Sequence, residues 1–133
     1  MHTGDTVPLA RIDLPSGKSP AYRSAIGDTV YQAMISVLNV PKDDRFQVIV
    51  EHGRSELVID SDYLGIHRTA DAIIIQITLN EGRTTEMKKK FYQALVDGLH
   101  QQVGLRREDV VINLVEVKKE NWSFGNGEAQ YAP

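Results

Sequence analysis

Two cations in this 133-residue chain stand where a small anion could be held. Lys18 and Arg83 each follow a glycine and precede a residue suited to capping a helix, Ser19 and Thr84. A positive side chain beside the exposed N–H groups of a helix start makes a site for a carboxylate or similar anion. The same two residues also read as surface charges in strand-to-helix loops, and for Lys18 the two readings weigh equally. Other chemistry is missing from the pattern. The histidines, His2, His52, His67 and His100, show no pair at metal-ligand spacing along one element. Gly125-Asn126-Gly127 lacks the following helix that would hold a phosphate and reads as a turn. Lys88-Lys89-Lys90 reads as solvated helix surface, and no G-x-S-x-G elbow occurs. Without cysteine there is no thiol nucleophile, disulfide framework or thiolate metal site. No metal and no cofactor is expected.

The elements that must position Lys18 and Arg83 repeat. Segment 12–51 aligns with 77–116 without a gap at an offset of 65, with identities at Ile12/Ile77, Leu14/Leu79, Gly17/Gly82, Asp44/Asp109, Val50/Val115 and Glu51/Glu116. Secondary-structure signals keep the same step. Apolar residues at Pro8, Ala10, Ile12 and Leu14 alternate as in a half-buried strand. Ser19-Pro20 then reads as an N-cap followed by proline at the first helical position. Ile26, Val30, Met34 and Leu38 form a helical stripe that Pro41 ends, and 46–51 is a second strand with Phe46, Val48 and Val50 on one face.

In the second copy the β-branched run of Ile73, Ile74, Ile75 and Ile77 reads as a strand covered on both sides. Thr84 caps a helix with the stripe Phe91, Leu95, Leu99 and Val103, closed by Gly104, and a last long strand covers 110–117. Two right-handed β-α-β units give an α/β (α+β) domain: a four-stranded sheet with both helices on one face. The other face, carrying Leu9, Ile49 and part of the isoleucine run, needs a cover that no third helix supplies, so sheets facing each other in an oligomer are expected. Between the units, 56–59 reads as a short strand or hairpin arm and 60–69 as a polar loop. In the tail, 122–124 reads as a short edge strand.

Composition excludes several classes of function. A chain with 41% hydrophobic and 25% charged residues is ordinary for a globular domain. Its net charge of -3 gives no general pull toward nucleic acid or an anionic membrane. No apolar run approaches the ~20 residues that span a bilayer, and residues 1–6 lack a signal-peptide core, so a cytoplasmic location is expected.

Five blocks taken together resemble the tautomerase superfamily, and within it the long-chain group that includes malonate semialdehyde decarboxylase. They are Pro8-Leu9 opening a strand, Gly17-Lys18, Asp43-Asp44-Arg45-Phe46-Gln47, Gly82-Arg83-Thr84 before a helix, and Asn121-Trp122-Ser123-Phe124-Gly125-Asn126-Gly127. The resemblance runs from residue 8 to about residue 131. It implies a duplicated β-α-β fold, a homotrimer, no cofactor, and an N-terminal proline whose secondary amine is the catalytic group. A free amino terminus titrates at about 8, and a partly apolar pocket beside cations lowers it toward the working pH of a general base. As a neutral amine it can shuttle a proton between oxygen and carbon of the enol of a 2-oxo acid. As an ammonium it can serve as acid in a decarboxylation or hydration. On the same resemblance, Asp44 matches an aspartate that assists beside the proline. Arg83 matches the second arginine of an Arg-Pro-Arg turn that grips the substrate carboxylate. Trp122, Phe124 and Tyr131 match the apolar wall of the site, and Lys18 is carried as a further substrate-binding cation.

Three departures shape the reading. Glu81-Gly82-Arg83 stands where the decarboxylases have Arg-Pro-Arg, so one carboxylate-binding arginine is replaced by an acid. Ile35 falls where the cis-haloacrylate dehalogenases carry a histidine. Tautomerisation, which asks least of the site, therefore leads. Decarboxylase or hydratase activity is the alternative, and a non-catalytic trimer that binds small carboxylates is a third. The last departure is at the front, where residues 1–7 precede Pro8 and make its nitrogen a tertiary amide without a basic lone pair. Either Val7, whose codon can be a GTG start, is an initiator later removed to expose Pro8, or 1–7 is a genuine extension ahead of a tautomerase-like domain at 8–133. The position equivalent to Pro8 in the second copy is Ile73, in mid-chain, so one site per subunit is expected.

Overall fold

A computed structural model of the chain describes residues 8–133; the readings of residues 1–7 and of Val7 as a start lie outside them. Alternation builds β1 (Leu9–Pro15), whose Ala10, Ile12 and Leu14 are fully buried while Arg11 between them is exposed. Helix α1 (Pro20–Leu38) starts where the Ser19 side chain accepts the Tyr22 N–H at 3.1 Å, with proline in the first turn. It ends on Asn39, whose left-handed backbone (φ 58°) turns the chain out of the helix. After β2 (Phe46–His52) and a small hairpin, β3 (Asp62–Tyr63) with β4 (Ile66–His67), the plan repeats. Strand β5 (Ile73–Asn80) leads to α2 (Thr85–Val103), capped by Thr84 onto the Met87 N–H at 3.2 Å and closed by left-handed Gly104, then to β6 (Val110–Val117).

The sheet order is β2-β1-β5-β6. Each outer strand runs parallel to its neighbour, as a β-α-β crossover requires, while β1 and β5 meet antiparallel in the middle. The two copies are thus related by an approximate twofold rotation. Ser16 N–H donates to His52 O at 2.8 Å, and Glu81 N–H to Val117 O at 2.9 Å, at equivalent positions. Both helices lie on one face. Their stripes, Ile26, Val30, Met34 and Leu38 with Phe91, Leu95 and Leu99, close a dry core against Ile12, Leu14, Ile73, Ile75, Ile77 and Leu79. No helix among the described residues is long and apolar enough to cross a membrane.

Three local expectations need correction. Ile49 pairs with Ile12 and so lies on the helix side of the sheet; Phe46 and Val48, 46% and 41% exposed, occupy the open face instead. Segment 56–59 forms no strand. The Glu56 carboxylate accepts the Gly53 N–H at 2.8 Å and folds the chain into a turn, and the hairpin falls inside the stretch read as polar loop. Two-residue strands are too short to show a period, which is why 62–67 gave no signal. Segment 122–124 forms no strand either: it follows a 3-10 turn at Lys119–Asn121 and is held by ring contacts rather than a ladder. The turn at Gly125-Asn126-Gly127 is present, with all three residues at positive φ.

Candidate active site

One end of the sheet gathers most of the singled-out side chains. Leu9 pairs with Phe46 on one side and Thr78 on the other, so buried Pro8, one residue earlier, lies beside the entrance to β2 and the end of β5. Asp44, 4% exposed, sits two residues before β2, and its N–H donates to Pro41 O at 3.1 Å. Arg83 reaches back from the start of α2. Its Nη1 donates to Asn80 O at 3.1 Å and its Nη2 to Leu38 O at 3.3 Å, which ties the end of β5 to the end of α1. The wall is aromatic. Phe124 stacks on Trp122 with ring centres 5.2 Å apart, meets Phe46 at 5.6 Å, and takes Tyr131 edge-on at 5.9 Å.

Beside this wall is a cavity of about 370 Å³ lined by Asn80, Glu81, Val117, Lys118 and Tyr131 among others. That volume is at the small end for ligand sites. A larger groove of about 530 Å³ runs between the helices past Asp28, Thr29 and Gly98, away from Pro8; its one acid, Asp28, is paired with Arg45 at 2.8 Å. Of the site residues singled out above, Tyr131 alone lines the smaller cavity, whose other walls come from the ends of β5 and β6 and from the tail.

Lys18 does not join the cluster within one chain. Because β1 and β5 are antiparallel, the loops entering α1 and α2 lie at opposite ends of the sheet. Lys18 is bound to Asp71 at 2.9 Å and lies over the Tyr22 ring, and the Asp71 hydrogen bond raises its ammonium above the ordinary lysine range. The two helix-entry cations are thus equivalent in sequence and separate in space.

Gly82 carries φ 126°. Proline, locked near -65°, cannot take that conformation, so the Glu81-Gly82-Arg83 turn differs in backbone, as well as in charge, from an Arg-Pro-Arg turn. The repeat also supplies a counterpart for Asp44. Asp109, 1% exposed, accepts the Thr69 N–H at 2.7 Å and the Thr69 hydroxyl at 2.5 Å, and so holds the chain that enters β5.

Sequence reasoning missed two residues of this end. Phe46 is visible inside the Asp-Arg-Phe-Gln block but reads only as sharing one face of β2 with Val48 and Val50. Asn80 carried no signal except its place directly before Glu81-Gly82-Arg83. It is 2% exposed, and its Oδ1 accepts the Trp122 indole N–H at 2.7 Å. Its Nδ2 is buried with no hydrogen-bond partner.

A duplicated β-α-β domain of this topology, two helices on one face of a four-stranded mixed sheet, is the fold of the tautomerases. The chain belongs to the tautomerase family: one family model described as tautomerase enzyme matches residues 44–125, and a second, of the same description, matches residues 8–65. The chain is 44% identical over 124 residues to the probable tautomerase YusQ of Bacillus subtilis (strain 168), covering 93% of this chain and 98% of that one. It is 32% identical to the probable tautomerase YrdN of the same organism, covering 94% and 96%. Among solved structures it is similar to FG41 malonate semialdehyde decarboxylase inhibited by 3-bromopropiolate, with a TM-score of 0.86, 38% identity and 92% and 93% of the two chains covered. A fused 4-OT symmetric trimer shares the fold at a TM-score of 0.75 and 21% identity, with 90% and 94% covered.

Proposed function

We propose that this enzyme is a cofactor-free tautomerase of a small 2-oxo or enol carboxylic acid, with Pro8 as its base once the nitrogen is freed from residues 1–7. The observation that carries this reading is the position of Pro8. One family match opens on it, and it is buried one residue before Leu9, which pairs with Phe46 of the aromatic wall. The neutral Pro8 amine takes the enol O–H proton as the C=O bond forms, and the proton it then carries is delivered to the substrate carbon. Arg83 supplies the fixed positive charge for the carboxylate, and Asp44 steadies the ammonium that exists between the two transfers. The apolar rings of Trp122 and Phe124 exclude water and keep the amine's pKa low. We take the working form to be a homotrimer, in keeping with the exposed apolar side chains on β2, on the open face and on the hairpin.

The test compares two chains, one of 133 residues and one beginning at Pro8. The shorter chain should ketonise phenylenolpyruvate or 2-hydroxymuconate, followed by ultraviolet absorbance. Pro8→Ala in it should lose about 100-fold or more, the usual yield of a positioned acid–base group. The longer chain, with an amide at Pro8, should be inactive. A Pro8-start protein no faster than buffer would sink the reading. Intact mass of the protein from its native host decides which form occurs there.

A second reading rests on the similarity to malonate semialdehyde decarboxylase. Carbon dioxide release from malonate semialdehyde faster than any ketonisation would promote it. Glu81 in place of a cation, and the backbone at Gly82, weigh against it.

A further inference from the structure

We propose that the Asn80 side-chain amide is a substrate-binding donor, oriented by Trp122 to give one N–H to an oxygen of the substrate's carboxylate–oxo end; this rests on the tautomerase reading of the same site. The indole N–H of Trp122 can only donate, so the atom facing it at 2.7 Å must be the Asn80 oxygen. That contact fixes the amide flip and turns Nδ2 away from Trp122. Nδ2 is buried without a hydrogen-bond partner, in a residue 2% exposed that lines the cavity of about 370 Å³. Buried amide groups are nearly always paired, and an unmade bond here is what a ligand oxygen would complete.

The chemistry of the surroundings points the same way. Arg83 gives Nη1 and Nη2 to backbone carbonyls, and Glu81 occupies the place of a second cation. The end of the substrate that carries charge and oxygen therefore meets one fixed guanidinium and one neutral donor. Lys118 and Lys119 line the same cavity, balanced by Glu81 and Glu120. A neutral donor suits an acid that presents a carboxylate beside a carbonyl or enolate oxygen, because it pairs with either oxygen without demanding a second full charge.

The experiment uses the full chain and oxalate, a non-enolisable mimic of that planar oxygen pair. In ¹⁵N-labelled wild-type protein, saturation with oxalate should move one Asn80 side-chain amide proton downfield by several tenths of a part per million. Calorimetry should show binding about 10-fold weaker in Asn80→Ala and about 100-fold weaker in Asn80→Asp, as expected for loss of a hydrogen bond to a charged group and for its replacement by repulsion. Asn80→Asp keeps an acceptor for Trp122 but buries a carboxylate, so its thermal midpoint should fall; the amide shift in wild type is read whether or not either variant folds. Trp122→Phe should keep the cavity but loosen the amide, with oxalate affinity falling less than in Asn80→Asp. An unmoved Asn80 amide, or Asn80→Asp binding as tightly as wild type, overturns the proposal. Because oxalate is not turned over, absent ketonisation by the Pro8-start chain with the amide shift intact counts against the catalytic reading alone. Ketonisation by the Pro8-start chain that is indifferent to Asn80→Asp counts against this proposal alone.

Discussion

At Asp13, on the open face of the sheet, one carboxylate answers two side chains, Arg11 and His52. Arg11 Nε donates to it at 3.1 Å, and His52 Nε2 lies 2.6 Å from its other oxygen. Burial pushes the Asp13 carboxyl up, but the His52 hydrogen bond and the Arg11 guanidinium together outweigh it and hold it below the usual value. A folded pKa under the unfolded one of about 3.9 means stabilisation that is full above that value. It is lost as pH falls through the lowered one. Urea midpoints of wild type and Asp13→Asn should therefore differ most near neutral pH and converge below about pH 4; a constant difference from pH 7 to pH 3 would refute this. Residue identities of this kind are only half legible. The match of Asp44 with Asp109 is visible in the repeat. The burial of both, and the grip of Asp109 on Thr69, depend on chains 40 residues apart and are not.

The elements were the most legible level, because a helix or strand writes its own period into the chain. Both 19-residue helices begin on the cap residues that the sequence marks, and their apolar stripes face the core. How the helices meet was not written there. At their crossing a Cβ on Gly98 would lie 2.9 Å from Thr29 Cγ2, and Thr29 cannot swing aside freely because its hydroxyl donates to Ala25 O at 2.7 Å. Overpacking of this type costs about 1–3 kcal/mol. Replacing a helical glycine by alanine returns up to about 1 kcal/mol. Gly98→Ala should thus lower the thermal midpoint by a few degrees in calorimetry, whereas an exposed helical glycine would raise it; a stabilised Gly98→Ala would show that the helices have room to move apart. The short hairpin and the tail escaped the sequence reading for the opposite reason. They have no period, and the tail's form comes from rings stacking across the end of the sheet.

For the whole molecule, the sheet face opposite the helices leaves Phe46, Val48 and Val115 partly exposed, and the hairpin holds Tyr63 and Leu64 outward at 58% and 83% exposure. Apolar groups left open in this number call for a cover, and a second and third copy of the chain is the cover proposed above. Light scattering at micromolar concentration should return about three times 14.9 kDa; a mass of one chain throughout would remove the trimer. The duplicated β-α-β plan, its caps and its core stripes were determined by the sequence alone, since period, capping and repeat are local properties; Pro8, Asp44, Arg83, Trp122, Phe124 and Tyr131 rest on the family resemblance and stand as proposed site residues. Where each of these residues lies was decided only by tertiary structure. The antiparallel meeting of β1 and β5 sends Lys18 to one end of the sheet and Arg83 to the other. The hydrogen bond from Trp122 to Asn80, 42 residues apart, fixes the side chain of an asparagine that no sequence signal marks. Pairing between distant strands follows from the packing of the whole core, and no window of neighbouring residues carries it.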